Sequence, residues 1–178
     1  MDSIVLKDKT FVPYLDSDRI KESISAIAKN INSDLADDNP LFLVVLNGSF
    51  IFAADLLRNI TIPCEVSFIK LNSYAGTHSN GDINELIGLK EEIKDRLVVI
   101  VEDIVDTGHT IEHLKELLVE KEVKDIKIAS LLFKPDAYLK SIPVDYIGIE
   151  ILNYFVVGYG LDYDGLGRNL NAIYKLKE

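Results

Sequence analysis

Apolar and polar positions follow two rhythms along this chain, and their order predicts the architecture. From 16 to 36, Ile20, Ile24, Ile27, Ile31 and Leu35 step by three and four. That is the spacing of an amphipathic helix, with Asp16 or Ser17 as its N-cap. Pro40 stops any helix, and LFLVVL follows at 41–46. A short apolar run bounded by Pro and by Asn-Gly reads as a strand buried on both faces. SFIFAADLLRNI at 49–60 returns to helical spacing, and Cys64 to Leu71 alternates as a strand. NSYAGTHSNGD at 72–82 reads as a polar, mobile loop. LVVIVE at 97–102, IKIASLLF at 126–133 and DYIGIE at 145–150 are further strands, with the helix IEHLKELLVEK between the first two. Strands alternating with helices predict an α/β fold with a largely parallel sheet. The nearly uninterrupted apolar strands predict that both faces are covered. Ligands in such sheets bind beyond the carboxyl ends of the strands, so the loops after 46, 71, 102 and 133 are the candidates for chemistry. The tail beyond 150 is denser in Tyr, Asn, Asp and Gly and reads as a smaller subdomain.

Composition narrows the function classes. The 178 residues suit one domain with a sizeable core, and 48% apolar content argues against disorder. A net charge of −10 opposes a nucleic-acid or anionic-membrane partner. It does not oppose an anionic small molecule, which would use backbone N–H groups, a few Lys or Arg, or a divalent cation. Cys64 is the single cysteine, so no intrachain disulfide forms; its apolar neighbours suggest a buried structural thiol. The N-terminus has no basic segment followed by an apolar one. The longest purely apolar run is LFLVVL, far below the roughly 18 residues of a membrane span. A soluble, cytoplasmic protein is expected.

The densest chemistry lies in VVIVEDIVDTGHT at 98–110. A buried strand runs into Glu102 and Asp103, two apolar residues follow, and then Asp106, Thr107, Gly108, His109 and Thr110 lead into a helix. Gly108 permits a tight turn and close approach to a ligand. Unpaired N–H groups at the start of the next helix make a phosphate site, and Thr107 and Thr110 add hydroxyl donors. Glu102 and Asp103 can accept hydrogen bonds from sugar hydroxyls. A plain helix cap explains Asp106 or Thr107 but leaves the adjacent acidic pair without a purpose.

This string resembles the phosphoribosyl pyrophosphate (PRPP) signature of the type I phosphoribosyltransferases: apolar strand, two acidic residues, two apolar residues, D-T-G-x-T. LNGSFIFAADL (46–56), SYAGTHSNGDI (73–83), ASLLFKPDAY (129–138) and FVVGYGLDYDGLGRNL (155–170) extend the resemblance to the hypoxanthine and hypoxanthine–guanine branch over nearly the whole chain. The resemblance implies a single domain, 1–178. A parallel central sheet flanked by helices forms a core of about 16–134, with a small hood from about 1–15 and 135–178. It implies Mg²⁺ as cofactor, PRPP, hypoxanthine and also guanine as substrates, IMP or GMP as product, and a homodimer or homotetramer.

Residue roles follow from the same resemblance. Asp106 to Thr110 hold the 5′-phosphate, Glu102 and Asp103 meet the ribose hydroxyls, and Asp106 is the general base near N7 of the purine. Lys134 reaches the 6-oxo group, Phe155 stacks on the ring and the Val156 backbone reads its edge. Asp162, beside the purine, helps hold the metal with Glu102 and Asp103. Arg168, Asn47 and Gly48 face pyrophosphate, in a loop where the family has a cis peptide. Ser73 and Tyr74 ride on a closing loop that Gly76 and Gly81 suit. The family often has lysine where Asn47 stands, so one cationic contact to pyrophosphate is missing here.

Physical chemistry agrees with these roles. An ammonium donates and cannot accept, so Lys134 suits a 6-oxo group and opposes the 6-amino group of adenine. The glycines of GYGLDYDG do not space as G-x-G-x-x-G, which argues against a dinucleotide site. His78, His109 and His113 show no zinc-ligand pattern. The rival reading is a catalytically weak nucleotide-sensing regulator on the same fold. Such a protein would ordinarily add a DNA-binding segment or a basic face, and this acidic chain retains Asp106 and Lys134.

Overall fold

The computed structural model describes residues 2–71, 85–87 and 92–177. In chain order the elements are β1 (Ile4–Leu6), β2 (Lys9–Leu15), α1 (Ser17–Asp34), β3 (Leu41–Leu46), α2 (Phe50–Leu57), β4 (Glu65–Leu71), β5 (Glu85–Ile87), β6 (Leu97–Val105), α3 (His109–Glu120), β7 (Asp125–Phe133), β8 (Tyr146–Glu150), β9 (Val156–Val157) and β10 (Ile173–Leu176). They form two sheets. The larger has the order β5-β4-β3-β6-β7-β8, and the smaller β1-β2-β10-β9. In the larger sheet β4, β3, β6, β7 and β8 run parallel, and β5 adds to one edge antiparallel.

Two layers explain the unbroken apolar strands. Phe42, Val44, Val99 and Val101 face α1 and α2, where Ile20, Ile24, Ile27, Ile31 and Phe52 meet them. The alternate residues Leu41, Leu43, Val98 and Ile100 face α3 through Ile111, Leu114 and Leu118. In β3 and β6 each of these positions is therefore buried on one side or the other, as a covered parallel sheet requires, whereas Val66 and Phe68 of β4 stay exposed. Burying each such side chain contributes roughly 1.5–3 kcal/mol. Asp16 is the N-cap of α1, its carboxylate accepting the Arg19 N–H at 2.8 Å.

Three features depart from the expectations. β6 continues past Glu102 to Val105, because β7 runs beside it and pairs Ile104 with Leu132 and Val105 with Phe133. Glu102 and Asp103 thus sit within the strand. The hairpin of β1 and β2 leaves little trace in the pattern. Its first strand has three residues, and Pro13 in β2 argues against a strand. Pro13 is accommodated where the register with β10 shifts, between Ile173 and Tyr174. Finally, β8 joins the larger sheet beside β7, so the return to the smaller sheet begins after Glu150 rather than near 135. The small sheet has its own core of Phe11, Val157, Ala172 and Tyr174. Among the described residues, no helix is long and apolar enough to cross a membrane.

Phe42 is fully buried in the layer beneath α1 and α2. Phe42→Ala is expected to lower unfolding free energy by about 3–5 kcal/mol. Val119→Ala, on the exposed side of α3, should change it by about 0.5 kcal/mol or less. Urea denaturation of both variants checks the layer assignment.

Candidate active site

Strand order reverses between β3 and β6. From β3 the chain crosses to β4 on one side, then returns to place β6 on the other. At such a switch point the loops leaving neighbouring strands diverge and open a crevice. Here those loops are 46–49 and 106–109. The third wall comes from the segment after β9, which packs over the crevice from the small sheet.

The resulting cleft, about 300 Å³, is lined by Gly48, Asp103, Ile104, Asp106, Lys134, Phe155, Val156, Leu161, Asp162 and Arg168. A smaller adjoining pocket of about 80 Å³ is lined by Glu102, Thr107, Gly108, His109 and Thr110, among others, and shares Ile104 and Asp106 with the cleft. Residues scattered over 120 positions are thereby brought to one place. Asn47 is exposed beside the cleft, and the Leu46–Asn47 peptide is cis. Ser73 and Tyr74, with Gly76 and Gly81, lie outside the described residues.

Two glycines are required by close approach. Gly108 is the N-cap of α3 with φ +85°, a left-handed conformation that costs glycine nothing. A Cβ there would also lie 2.4 Å from the Tyr138 ring. Gly48 lies against Asp103, whose Oδ2 would be 1.6 Å from a Cβ at that position. The missing side chain lets the carboxylate of β6 stand directly behind the loop after β3.

Lys134 directly follows β7 and is almost fully buried. Its ammonium donates to Asp106 Oδ2 at 2.7 Å and to Asn153 Oδ1 at 3.2 Å. Removing this ammonium from water is tolerated because both partners are oxygen acceptors. Phe155, 47% exposed, forms the apolar wall. Phe11 lies 6.1 Å from its ring and Tyr163 5.9 Å away, the latter edge-on at 88°. The Val156 backbone is fixed by pairing of β9 with Lys175. At the far end, Asp162 Oδ1 takes Arg168 Nη2 at 2.7 Å, and its Oδ2 takes the Gly165 N–H at 2.6 Å. Arg168 Nη1 donates to the Gly160 carbonyl at 2.6 Å.

Burial raises the pKa of both β6 carboxyls. For Glu102, desolvation leads and the neighbouring Asp103 adds to it, so its pKa lies well above the usual carboxylate range. Asp103 is pushed up to about 6, again chiefly by desolvation; the Ile104 N–H and Arg168 oppose the shift, and Asp162 reinforces it. Among the described residues no group of three His, Cys, Asp or Glu is arranged to hold a metal alone. Asp103 and Asp162 nonetheless put hard oxygen donors on one cleft. That suits Mg²⁺, which takes one or two carboxylates and fills its shell with phosphate oxygens and water.

Some participants were not apparent from sequence. Asn153, which shares the Lys134 ammonium, precedes the matched FVVGYG segment and has no local signature. Ile104 and Leu161 wall the cleft. Ile104 falls in the apolar pair of the signature, where its role as a wall depends on the extra length of β6.

Comparison with known proteins gives consistent matches. The family model for the phosphoribosyl transferase domain matches residues 13–164. The hypoxanthine-guanine phosphoribosyltransferase of Streptococcus pneumoniae is 41% identical over 162 residues, 90% of each chain. A crystal structure of a hypoxanthine phosphoribosyltransferase from Staphylococcus aureus superposes with a TM-score of 0.87 at 34% identity, covering 93% of this chain and 91% of that one. A Trypanosoma cruzi hypoxanthine phosphoribosyl transferase, described for the role of its C-terminal region in oligomeric state and enzymatic activity, has a TM-score of 0.87 at 31% identity. That match covers 98% of this chain and 95% of the other.

The raised pKa of Asp103 has a thermodynamic consequence. Its value of about 6, against an ordinary 3.8, means that the folded state binds this proton more tightly than the unfolded state. The contribution of Asp103 to stability in metal-free buffer should therefore fall as pH rises from about 4 to about 6, then level off. Asp103→Asn should remove that loss, gaining about 1–3 kcal/mol over the parent at pH 7 and little at pH 4. Chemical denaturation at both pH values checks this; an equal difference at the two would contradict it.

Proposed function

Since the chain belongs to the phosphoribosyltransferases, and within them to the hypoxanthine–guanine branch, we propose that this enzyme joins hypoxanthine, and also guanine, to PRPP, giving IMP or GMP and pyrophosphate. The observation that carries the reading is the Lys134–Asp106 pair, 2.7 Å apart beside the half-exposed ring of Phe155. It puts a donor and an acceptor in the same cleft as an aromatic ring, where one heterocycle could meet all three.

In this reading the purine lies on Phe155, and its 6-oxo oxygen accepts the ammonium of Lys134. That interaction draws Lys134 from Asp106, freeing the carboxylate to face N7. The small pocket at the start of α3 takes the 5′-phosphate on backbone N–H groups and the Thr107 and Thr110 hydroxyls. Glu102 and Asp103 lie on the ribose side, and Gly48 and Arg168 on the pyrophosphate side. N9 forms its bond to the anomeric carbon as the bond to pyrophosphate breaks, the leaving oxygen keeping the electron pair. The N7 proton passes to Asp106, a step worth roughly 10²–10⁴-fold. The transition state has oxocarbenium character, as in glycoside chemistry. Mg²⁺ held by Asp103 and Asp162 would supply neutralisation of charge on the pyrophosphate. Glu102, the third carboxylate expected at the metal, is buried behind the phosphate loop with a raised pKa, which favours a supporting role.

Specificity follows from the same lysine. Adenine offers a 6-amino donor to a group that only donates, so the buried ammonium gains no acceptor from that base. Assembly as a homodimer or homotetramer belongs to the same proposal, supported by the relative described in terms of its oligomeric state. A cytoplasmic location fits PRPP, a substrate that is a charged phosphoester.

Nucleotide formation from hypoxanthine, guanine and adenine with PRPP and Mg²⁺ tests the reading. Turnover is expected with the first two and should be lower by about 10³-fold or more with adenine. Asp106→Asn should lower kcat by about 10²–10⁴-fold. Lys134→Ala should narrow the preference over adenine. Nucleotide binding without turnover of any base would contradict the assignment and favour a sensor.

A further inference from the structure

Away from the cleft, a partly buried contact ties the smaller sheet to the core at a point that bears on the site. Tyr159 is 5% exposed and holds φ +51°, a conformation rarely adopted by a residue with a side chain. Its N–H donates to the Leu170 carbonyl at 2.9 Å. Its hydroxyl donates to Asp55 Oδ2. Asp55 lies on α2, the helix that begins directly after the 46–49 loop. Burial and the Asp55 carboxylate both raise the pKa of the phenol, which therefore stays a donor.

The neighbours of this bond lead straight to the site. Gly160, next in sequence, donates to the Arg168 carbonyl at 3.0 Å and accepts from Arg168 Nη1 at 2.6 Å. Arg168 in turn holds Asp162. Gly160 also presses on the core: a Cβ there would lie 1.9 Å from the Gly48 carbonyl oxygen. One residue thus separates the Tyr159–Asp55 bond from the place where the arm bearing Arg168 meets the loop bearing Gly48. A packing role alone would require the ring and not the hydroxyl. Neither Asp55 nor Tyr159 lines the cleft.

We propose that Asp55 and Tyr159 form a positioning pair that sets the spacing between the Asp162–Arg168 arm and the Gly48 loop, and so the affinity for the pyrophosphate group of PRPP. This rests on the reading that Arg168 and Gly48 face pyrophosphate. The pair touches no reacting atom. A small displacement of groups that orient a substrate is costly in binding, whereas Lys134 at the purine end follows β7, outside this arm.

Steady-state kinetics of the full chain test this, with PRPP and hypoxanthine varied separately and pyrophosphate varied in the reverse reaction. Tyr159→Phe keeps the ring and removes the hydroxyl; Asp55→Ala removes the acceptor. Both should raise KM for PRPP and pyrophosphate by about 5–20-fold, while kcat and the hypoxanthine KM stay within about twofold. The double variant should be no worse than either single one. Asp55→Asn, whose amide oxygen still accepts the phenol proton, should stay within about threefold of the parent. Unchanged PRPP and pyrophosphate KM, or losses in kcat and all KM values that track a fall in Tm, would overturn the pair. Arg168→Gln separates the two levels. If it raises the PRPP KM while Tyr159→Phe does not, the pair fails and the pyrophosphate reading stands. If Arg168→Gln leaves that KM unchanged, the pyrophosphate reading fails and takes the pair with it.

Discussion

The burial of β6 between β3 and β7 is the constraint on which the rest of this molecule depends. Parallel pairing on both sides fixes its register, and apolar layers above and below leave its side chains no access to water until its carboxyl end. There the strand carries Glu102 and Asp103 while still inside the sheet. A chain so held cannot shift by one residue, because each slip would exchange the two faces. The position of the carboxylates relative to the loop after β3 is therefore set by the sheet, and Gly48 leaves the space that Asp103 fills.

That arrangement has an electrostatic cost which the site turns to use. Two carboxyls, desolvated side by side, are each less acidic than in water. A third, Asp106, is held by the buried ammonium of Lys134, and a fourth, Asp162, by Arg168. Two carboxylates of the cleft are thus paired with cationic side chains, and each cation could take a partner of better fit. In the proposed reading a 6-oxopurine would offer one to Lys134, and pyrophosphate one to Arg168. Substrate binding would then exchange internal ion pairs for substrate ones, releasing the groups that the proposed chemistry requires.

Much of the core could be read from the sequence, because its periodicities are strong. The runs at 41–46 and 97–102 could be taken as doubly buried strands, and the stepping of Ile20 to Ile31 as a helix. The tight turn into α3 was equally legible, since Gly108 has a local reason to stand at its N-cap. The small sheet was not. Its strands are short, β2 contains Pro13, and β10 lies more than 150 residues from β2, its partner in the sheet. No local rule connects them. The same holds for Asn153 beside Lys134 and for Asp55 beneath Tyr159, contacts created by tertiary packing alone. Phe155 illustrates the boundary: only the family resemblance marked it, and its exposure and the supporting rings of Phe11 and Tyr163 explain how it is held.

The exchange of partners at Lys134 is the central claim, and a crystal structure with IMP tests it most directly. The 5′-phosphate should occupy the 106–110 loop and the base should lie on Phe155. The Lys134 ammonium should be within about 3.2 Å of the 6-oxo oxygen, and its contact with Asp106, 2.7 Å in the free protein, should be broken. IMP bound with that pair intact, or with its base away from Lys134, would contradict the account.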